Sequence, residues 1–232
     1  PTLREELTLP QIREQTAFNG TKTNTTVASN KLKLTDPASN ASGSYTFNTL
    51  YDLGAVFSLK INSHIVSTSE NVSTLFDSIP DVDALANFDG DPAEKTNAAL
   101  LVRTTNDNPS GSPTYSSYNN FQSGTFRARA FDFKVELESN DTNENILISE
   151  LGVDAFMQAR TEQSTTLISS GAGAKNVTFA APFFTGTSAI GGSTSAYPPS
   201  IGITAQNMAS GDFFEITNIT GTGFTVTFKN SS

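Results

Sequence analysis

The segment Arg127–Glu138, RARAFDFKVELE, decides the fold class of this 232-residue chain. From Phe131 to Leu137 every second residue is apolar, and the residues between them are charged. Successive side chains of a β-strand point to opposite faces of the sheet. This alternation therefore places one row of apolar side chains against a core and one row of charges in solvent. The segment predicts a half-buried strand.

Two further segments alternate in the same way. Leu53–Ile61 has apolar residues at every second position, and Ile146–Met157 follows a turn at Ser139–Asn143. We expect Ile146–Met157 to return beside Arg127–Glu138 as its partner strand, with a bulge at Glu150–Gly152, where the pattern is interrupted.

Shorter alternating runs lie near the two ends of the chain. Thr25–Val27 and Lys31–Leu34 are separated by Ser-Asn. Phe213–Ile216 and Phe224–Phe228 are joined by a turn at Asn218–Gly223, and we expect them to pair. For Phe224, the core of its own domain is favoured over a subunit interface.

The composition predicts an all-β protein of two domains. Ser, Thr, Asn and Gly are abundant, there are 17 Phe, and only 16% of residues are charged, which is typical of strands more than of long helices. We expect an N-terminal arm over residues 1–15 and a jelly-roll-like antiparallel β-sandwich over 16–160. A linker over 161–174 then leads to a smaller antiparallel β-sandwich of four or five strands over 175–232. Because the chain begins with Pro, we expect it to be a piece of a longer protein.

Charge and cysteine content exclude several functions. The net charge of -9 and the pI of about 4.5 argue against nucleic acid as a partner, because phosphate binding needs a surplus of Lys and Arg. The absence of Cys excludes disulfides and thiolate metal sites. No apolar run approaches the roughly 20 residues of a membrane helix, so we expect no membrane insertion.

The sequence offers little for catalysis. His64 is the only histidine, and no G-x-S-x-G motif accompanies it, so an ordinary surface role is favoured. Glu136 and Glu138 point outward from one strand, whereas a glycosidase needs two acids facing each other across a cleft. We therefore expect no enzymatic activity.

The acidic loop around residues 87–94 contains the best cluster of oxygen ligands. Asp89, Asp91 and Glu94 form part of a calcium-loop pattern without the full series of acids. The alternatives are a bound calcium ion and a solvated acidic loop, and the solvated loop is favoured. No other cofactor is expected.

Three arginines and three tyrosines are further candidates for ligand or interface contacts. Arg103, Arg127 and Arg129 stand out because basic residues are scarce, and the alternative is that each bonds a nearby carboxylate. The alternation places Arg127 and Arg129 on the same side as Phe131.

Aromatic residues among Asn and Ser suggest a sugar platform. The candidates are Tyr115, Tyr118 and Tyr197, together with Phe121, and core packing is the alternative role for their rings.

Several phrases together resemble a known family. They are Arg103–Arg160, Val177–Phe184 and Pro198–Asn230. The markers within these phrases are Arg103-Thr104-Thr105, Tyr115, Ala128–Phe131, Gly211-Asp212 and Gly223-Phe224. In this order they resemble the C-terminal region of host-specificity proteins of tailed phages, also called tail-tip or central tail fibre proteins, and similar proteins of gene transfer agents. The resemblance covers residues 16–230.

The resemblance implies a structural and adhesive virion component, built of β-sandwich domains and located at the tail tip or fibre. It also implies a homotrimer that contacts other phage tail proteins and a glycan or outer-membrane receptor on the host surface. The alternative is a carbohydrate-binding module with a galactose-binding type of β-sandwich. A fragment of a polysaccharide depolymerase ranks last, because neither a long repetitive β-helix nor a set of acids is present.

Overall fold

The structure is a computed structural model that describes residues 6–72, 95–188 and 195–230. The chain divides into two compact units, of which the first comprises Thr8–Met157 and the second comprises Gln158–Ser232 with Pro1–Leu7. Across the described ranges the chain is all-β, with a large, nearly closed antiparallel sheet and a smaller antiparallel sheet, consistent with a β-sandwich. The predicted fold class is confirmed.

The strands of the larger sheet are β1 (Glu6–Thr8), β2 (Ile12–Arg13), β3 (Thr21–Thr23), β4 (Thr25–Ala28), β5 (Lys31–Leu34), β6 (Ser42–Thr46), β7 (Tyr51–Asn71), β8 (Thr96–Thr105), β9 (Asn119–Asn120), β10 (Gly124–Ser139) and β11 (Glu144–Gln158). Its central order is β3-β6-β10-β7-β11-β5-β4, and β8 pairs with β10 and β9. The smaller sheet has the order β12-β14-β13. Its strands are β12 (Ala174–Thr178), β13 (Asp212–Thr217) and β14 (Gly223–Asn230).

Strand β10 carries the core of the first unit. Phe131, Phe133, Val135 and Leu137 are all fully buried, as the alternation predicts. Burial of one such side chain contributes about 1.5–3 kcal/mol relative to leaving it exposed. One edge of β10 pairs with β8, and the other edge pairs first with β7 and then with β6. The backbone of β10 is therefore bonded on both edges, while its apolar row faces the core.

The predicted pairing of β10 with β11 is wrong, because β7 lies between them. The predicted strand Leu53–Ile61 is only the first part of β7, which runs on to Asn71. This length gives β7 room for both partners, with Phe57–Ile61 pairing with β10 and Lys60–Asn71 pairing with β11.

Strand β11 has the predicted irregularity, but it falls between Ile148 and Glu150 and not at Glu150–Gly152. Beyond it, Gly152 and Val153 pair with the short strand β2. A Cβ at Gly152 would lie 2.1 Å from the carbonyl oxygen of Ile12. Only glycine at this position lets the N-terminal segment approach so closely.

The turn between β4 and β5 follows from local sequence. Ala28 pairs with Lys31, so Ser29 and Asn30 form a two-residue loop. Both have positive φ, 50° and 62°, as a type I′ hairpin turn requires. Asn tolerates this conformation well, which explains why Ser-Asn separates the two alternating runs.

The second unit is built around β14. Phe214 and Ile216 pair with Phe228 and Val226, which confirms the predicted C-terminal hairpin. Val226 is fully buried, and Phe224 is 9% exposed, so Phe224 belongs to the core of its own unit. The sheet has three strands in the described residues, fewer than predicted.

The predicted strand at 201–204 is irregular. It follows Pro198-Pro199, and proline supplies no N–H for strand pairing.

The side chain of Asn145 continues the pairing of β11 with β5. Its Nδ2 donates to the carbonyl oxygen of Leu34 at 2.9 Å, and its Oδ1 accepts from the Leu34 N–H at 3.1 Å. The side chain therefore satisfies two buried backbone groups in place of a strand residue. Asn145 is 1% exposed, so water cannot replace either bond.

We predict that Asn145→Asp lowers the free energy of unfolding by about 1–3 kcal/mol, because it removes the donor to Leu34 and sets a carboxylate oxygen against a carbonyl. Chemical denaturation measures this change. Asn120→Asp is the matched control, since Asn120 is exposed. An equal effect of both substitutions would contradict the assigned role of Asn145.

Candidate functional site

The candidate site lies on the outer face of β8 and β10, and Arg103 is at its centre. Arg103 stands directly opposite Asp132 in the ladder, so both side chains project from the same face. Arg103 Nε lies 2.8 Å from Asp132 Oδ2, and Arg103 Nη2 lies 2.6 Å from the same oxygen. Asp132 is 8% exposed, so its carboxylate is largely shielded from water, whereas the Arg103 side chain is 36% exposed.

Two tyrosine rings pack on the Arg103 guanidinium. Its Cζ lies 4.5 Å from the ring centroid of Tyr115 and 4.7 Å from that of Tyr118. The Tyr118 hydroxyl donates to Asp132 Oδ2 at 2.9 Å, and Lys134 Nζ lies 4.7 Å from the Tyr118 ring. These residues, Arg103, Tyr115, Tyr118, Asp132 and Lys134, form the Tyr–Arg cluster.

The segment after β8 positions the two tyrosines. Ser116 is bonded to Thr104 twice, through its N–H to the Thr104 carbonyl at 2.9 Å and through its Oγ from the Thr104 N–H at 3.0 Å. Asp107 accepts from the Thr114 N–H at 2.8 Å, which closes the loop on itself. Hydrogen bonds therefore hold the backbone on both sides of Tyr115.

Burial and charge shift the ionisation of the cluster. Burial, followed by the hydrogen bond to Asp132 and its charge, raises the pKa of Tyr118 to about 12. Burial and the charge of Asp132 also raise the pKa of Tyr115. Burial lowers the pKa of Arg103, but the hydrogen bond and charge of Asp132 outweigh it and raise the pKa overall. The arrangement holds a permanent cation between neutral phenols.

Arg129 lies beside the cluster and is also bonded within the chain. Its Nε is 3.2 Å from Asp52 Oδ1, and its Nη2 donates to Asn108 Oδ1 at 3.0 Å. Arg129 falls where the pairing of β10 with β7 shifts register, between Ala128 and Ala130. The shift turns its guanidinium toward Asp52.

Arg127 lies before the register shift. Sequence alternation placed it on the same side as Phe131, which is wrong. The rings of Phe126 and Phe131 pack edge to face with centroids 6.2 Å apart, so these two residues share the inner face. Arg127 therefore projects outward, and its side chain is exposed.

The structure brings only part of the predicted set together. Arg103, Tyr115 and Tyr118 form one cluster, with Arg129 near it along β10. Tyr197 belongs to the second unit, where its ring stacks on Phe184 at 5.9 Å. The sequence missed the partner Asp132 because alternation assigned it to the solvent face. Ladder register, which the sequence does not give, sets it opposite Arg103.

The predicted calcium ligands Asp89, Asp91 and Glu94 lie outside the described residues. Within residues 6–72, 95–188 and 195–230, no three His, Asp or Glu side chains converge to hold a metal ion. Over the same ranges, no helix has the length and hydropathy that a bilayer span requires.

The lone histidine and one buried acid are both bonded within the chain. His64 Nε2 lies 2.6 Å from Glu150 Oε2. Glu14, which is 7% exposed, accepts from the Tyr45 hydroxyl and from the Asn48 N–H. These contacts tie strands and loops together, which is a structural use of both groups.

Comparisons with protein-family models, with curated proteins and with solved structures returned no match to this chain.

We predict that Arg103→Lys lowers the free energy of unfolding by about 1 kcal/mol, because an ammonium cannot stack on two rings as a planar guanidinium does. Thermal or chemical denaturation measures the loss. Arg127→Lys is the matched control on the same strand, and we expect it to change stability by less than about 0.5 kcal/mol. Equal effects would show that the two rings contribute nothing through Arg103.

We predict that Tyr118 ionises near pH 12. Since its folded pKa is raised from 10 to about 12, its contribution to stability is complete below pH 10 and is lost as the pH rises toward 12. Subtracting the tyrosinate absorbance of Tyr118→Phe from that of the unsubstituted chain isolates this step. In denaturant we expect the ionisation midpoint of Tyr118 to move toward pH 10. A midpoint near pH 10 in the folded chain would contradict the buried hydrogen bond to Asp132.

Proposed function

We propose that this chain is a non-enzymatic structural and adhesive component of a tailed-phage virion. It forms part of a tail tip or central tail fibre, assembles as a homotrimer and contributes to attachment to the host surface. The ordered phrases that resemble phage host-specificity proteins support this assignment. These phrases include the last three residues of β8, the strands β10 and β11 of the first unit, and the paired strands β13 and β14 of the second.

The observation that carries the proposal is that the cations of the Tyr–Arg cluster and the neighbouring Arg129 are all paired within the chain. Arg103 is paired with Asp132, Arg129 with Asp52, and Lys134 with Glu136 at 2.5 Å. A site for turnover keeps a charged or nucleophilic group available to substrate. Here each of these cations already has its anion, which suits a rigid scaffold.

The distribution of exposed apolar side chains supports an oligomer. In the second unit Leu167 is 88% exposed, Phe213 41%, Ile219 42% and Met208 38%. A unit whose core is one three-stranded sheet buries too little surface to be strongly stable alone. Subunit contacts across a symmetric assembly would cover such side chains.

We predict that the purified chain has the mass of a trimer in light scattering after gel filtration. We also predict that antibodies raised against it label the tail ends of particles in electron microscopy. A monomer that binds glycans, with unlabelled particles, would contradict the virion assignment and favour the carbohydrate-binding module. Loss of viscosity in a host polysaccharide solution would instead reveal a depolymerase.

A further inference from the structure

Three strands present an exposed cationic row on the outer face of the first unit, before the register shift in β10. Arg127 of β10 stands opposite Ser58 of β7. Lys60, two residues along β7, stands opposite Thr125 of β10 on one side and Phe156 of β11 on the other. Residues opposite or diagonal in an antiparallel ladder share a face. Arg127, Lys60 and Phe156 therefore form a row across three adjacent strands, named here the outer row.

Both cations of the outer row are exposed. Neither has an ion pair or a side-chain hydrogen bond among the residues that the structure describes. Most other cations there have a carboxylate partner, as do Arg13, Lys33, Lys95, Arg103, Arg129, Lys134, Arg160 and Lys229. Lys22 and Lys175 bond carbonyl oxygens instead. Among the described residues, Lys31 on β5 is a third cation with neither an ion pair nor a side-chain hydrogen bond, and it stands apart from the outer row.

The acids nearest to the row along β11 are already neutralised. Asp154, two residues from Phe156, is paired with Arg13 at 2.5 Å. Glu150 is paired with His64. Along β10, β7 and β11 the outer row is thus a local positive patch on a protein of net charge -9. The exposed Glu6 lies on the next strand, β1, which pairs with β11.

We propose that the outer row binds an acidic polysaccharide through its uronic-acid carboxylates. The Arg127 guanidinium matches a carboxylate with two parallel N–H donors, and Lys60 supplies a point charge for a second one. Phe156 is half-buried, so its ring offers apolar surface to the C–H face of a sugar. Ser58 and Thr125 are exposed beside the cations and supply hydroxyls for the sugar hydroxyls.

The geometry of the row suits an extended polymer. Adjacent strands are separated by about 4.7–4.9 Å, so a row across three strands spans about 10 Å, a length comparable to a disaccharide. The two cations lie on neighbouring strands, which allows consecutive acidic units to meet one cation each.

The number and spacing of the charges favour an acidic polysaccharide over neutral glycans and nucleic acids. A neutral glycan would leave both cations unpaired, and unpaired charges add nothing to its recognition. A nucleic acid presents a dense row of phosphates, which needs many cations, whereas the outer row supplies two. A glycan with spaced carboxylates matches two exposed cations.

The test is binding of polygalacturonate to the full purified chain, with neutral dextran of similar length as the comparison. We expect binding to polygalacturonate that weakens as salt rises, and none to dextran. The double substitution Lys60→Gln and Arg127→Gln is expected to weaken binding by about tenfold or more. Lys31→Gln, which removes a cation on β5 from the same chain, is expected to leave it within about twofold.

Three outcomes would overturn the proposal that the outer row binds an acidic polysaccharide. These outcomes are no binding to polygalacturonate, equal binding by the double variant, or equal binding to dextran. Equally tight binding to dextran sulfate would show attraction to any polyanion and overturn the carboxylate assignment. If the double variant instead changes the oligomeric mass, the row is a subunit contact. An unchanged unfolding midpoint shows that the variant is folded.

The biological role of this ligand rests on the proposed function, but its binding does not. A chain that binds polygalacturonate while antibodies leave the virions unlabelled would overturn the virion assignment and keep the outer row. Labelled virions together with no polygalacturonate binding would support the virion assignment and overturn the proposal for the outer row.

Discussion

Phe126 and Phe131 pack against each other on the inner face of β10, although an odd number of positions separates them. Strict alternation would send one ring outward and turn Arg127 into the core. Burying an unpaired arginine costs far more than the ring contact contributes. The register shift between Ala128 and Ala130 resolves the conflict, since it keeps both rings inside and Arg127 outside. The core and the outer face of the first unit depend on this irregularity.

The irregularity also divides the outer face of β10 into two parts with different chemistry. At the shift and beyond it, Arg129 and Arg103 are bonded to carboxylates, and two tyrosine rings pack on Arg103. Before the shift, Arg127 and Lys60 face solvent. The first part holds a long loop against the sheet, and the second leaves charge available to a partner. A scaffold that carries a binding face fits both parts.

Local pattern predicted the elements whose partners are near in sequence. The β13–β14 hairpin and the Ser29–Asn30 turn follow from alternation and turn residues alone. The insertion of β7 between β10 and β11 was not predictable in this way, because it depends on contacts between distant segments. Strand length was the missing signal, since the pattern of β7 weakens after Ile61 while the strand continues to Asn71.

The candidate site also depends on contacts between distant segments, which local sequence patterns do not predict. Residue type and scarcity singled out Arg103, Tyr115 and Tyr118, and the structure unites them. The register between β8 and β10 places Asp132 opposite Arg103. No local sequence pattern encodes this register. The sequence does not distinguish Lys60, because a single lysine on the polar face of a strand is common. Only its unpaired neighbour Arg127, on another strand, makes it distinctive.

The most direct test of this division is a backbone-amide NMR titration of the chain with short polygalacturonate oligomers. We expect shift changes centred on Lys60, Arg127 and Phe156, with the amides of Tyr115 and Tyr118 unchanged. Changes centred on Tyr115, Tyr118 and Arg103 would contradict this expectation, because they would show that the Tyr–Arg cluster is the open part of the face and the outer row is not.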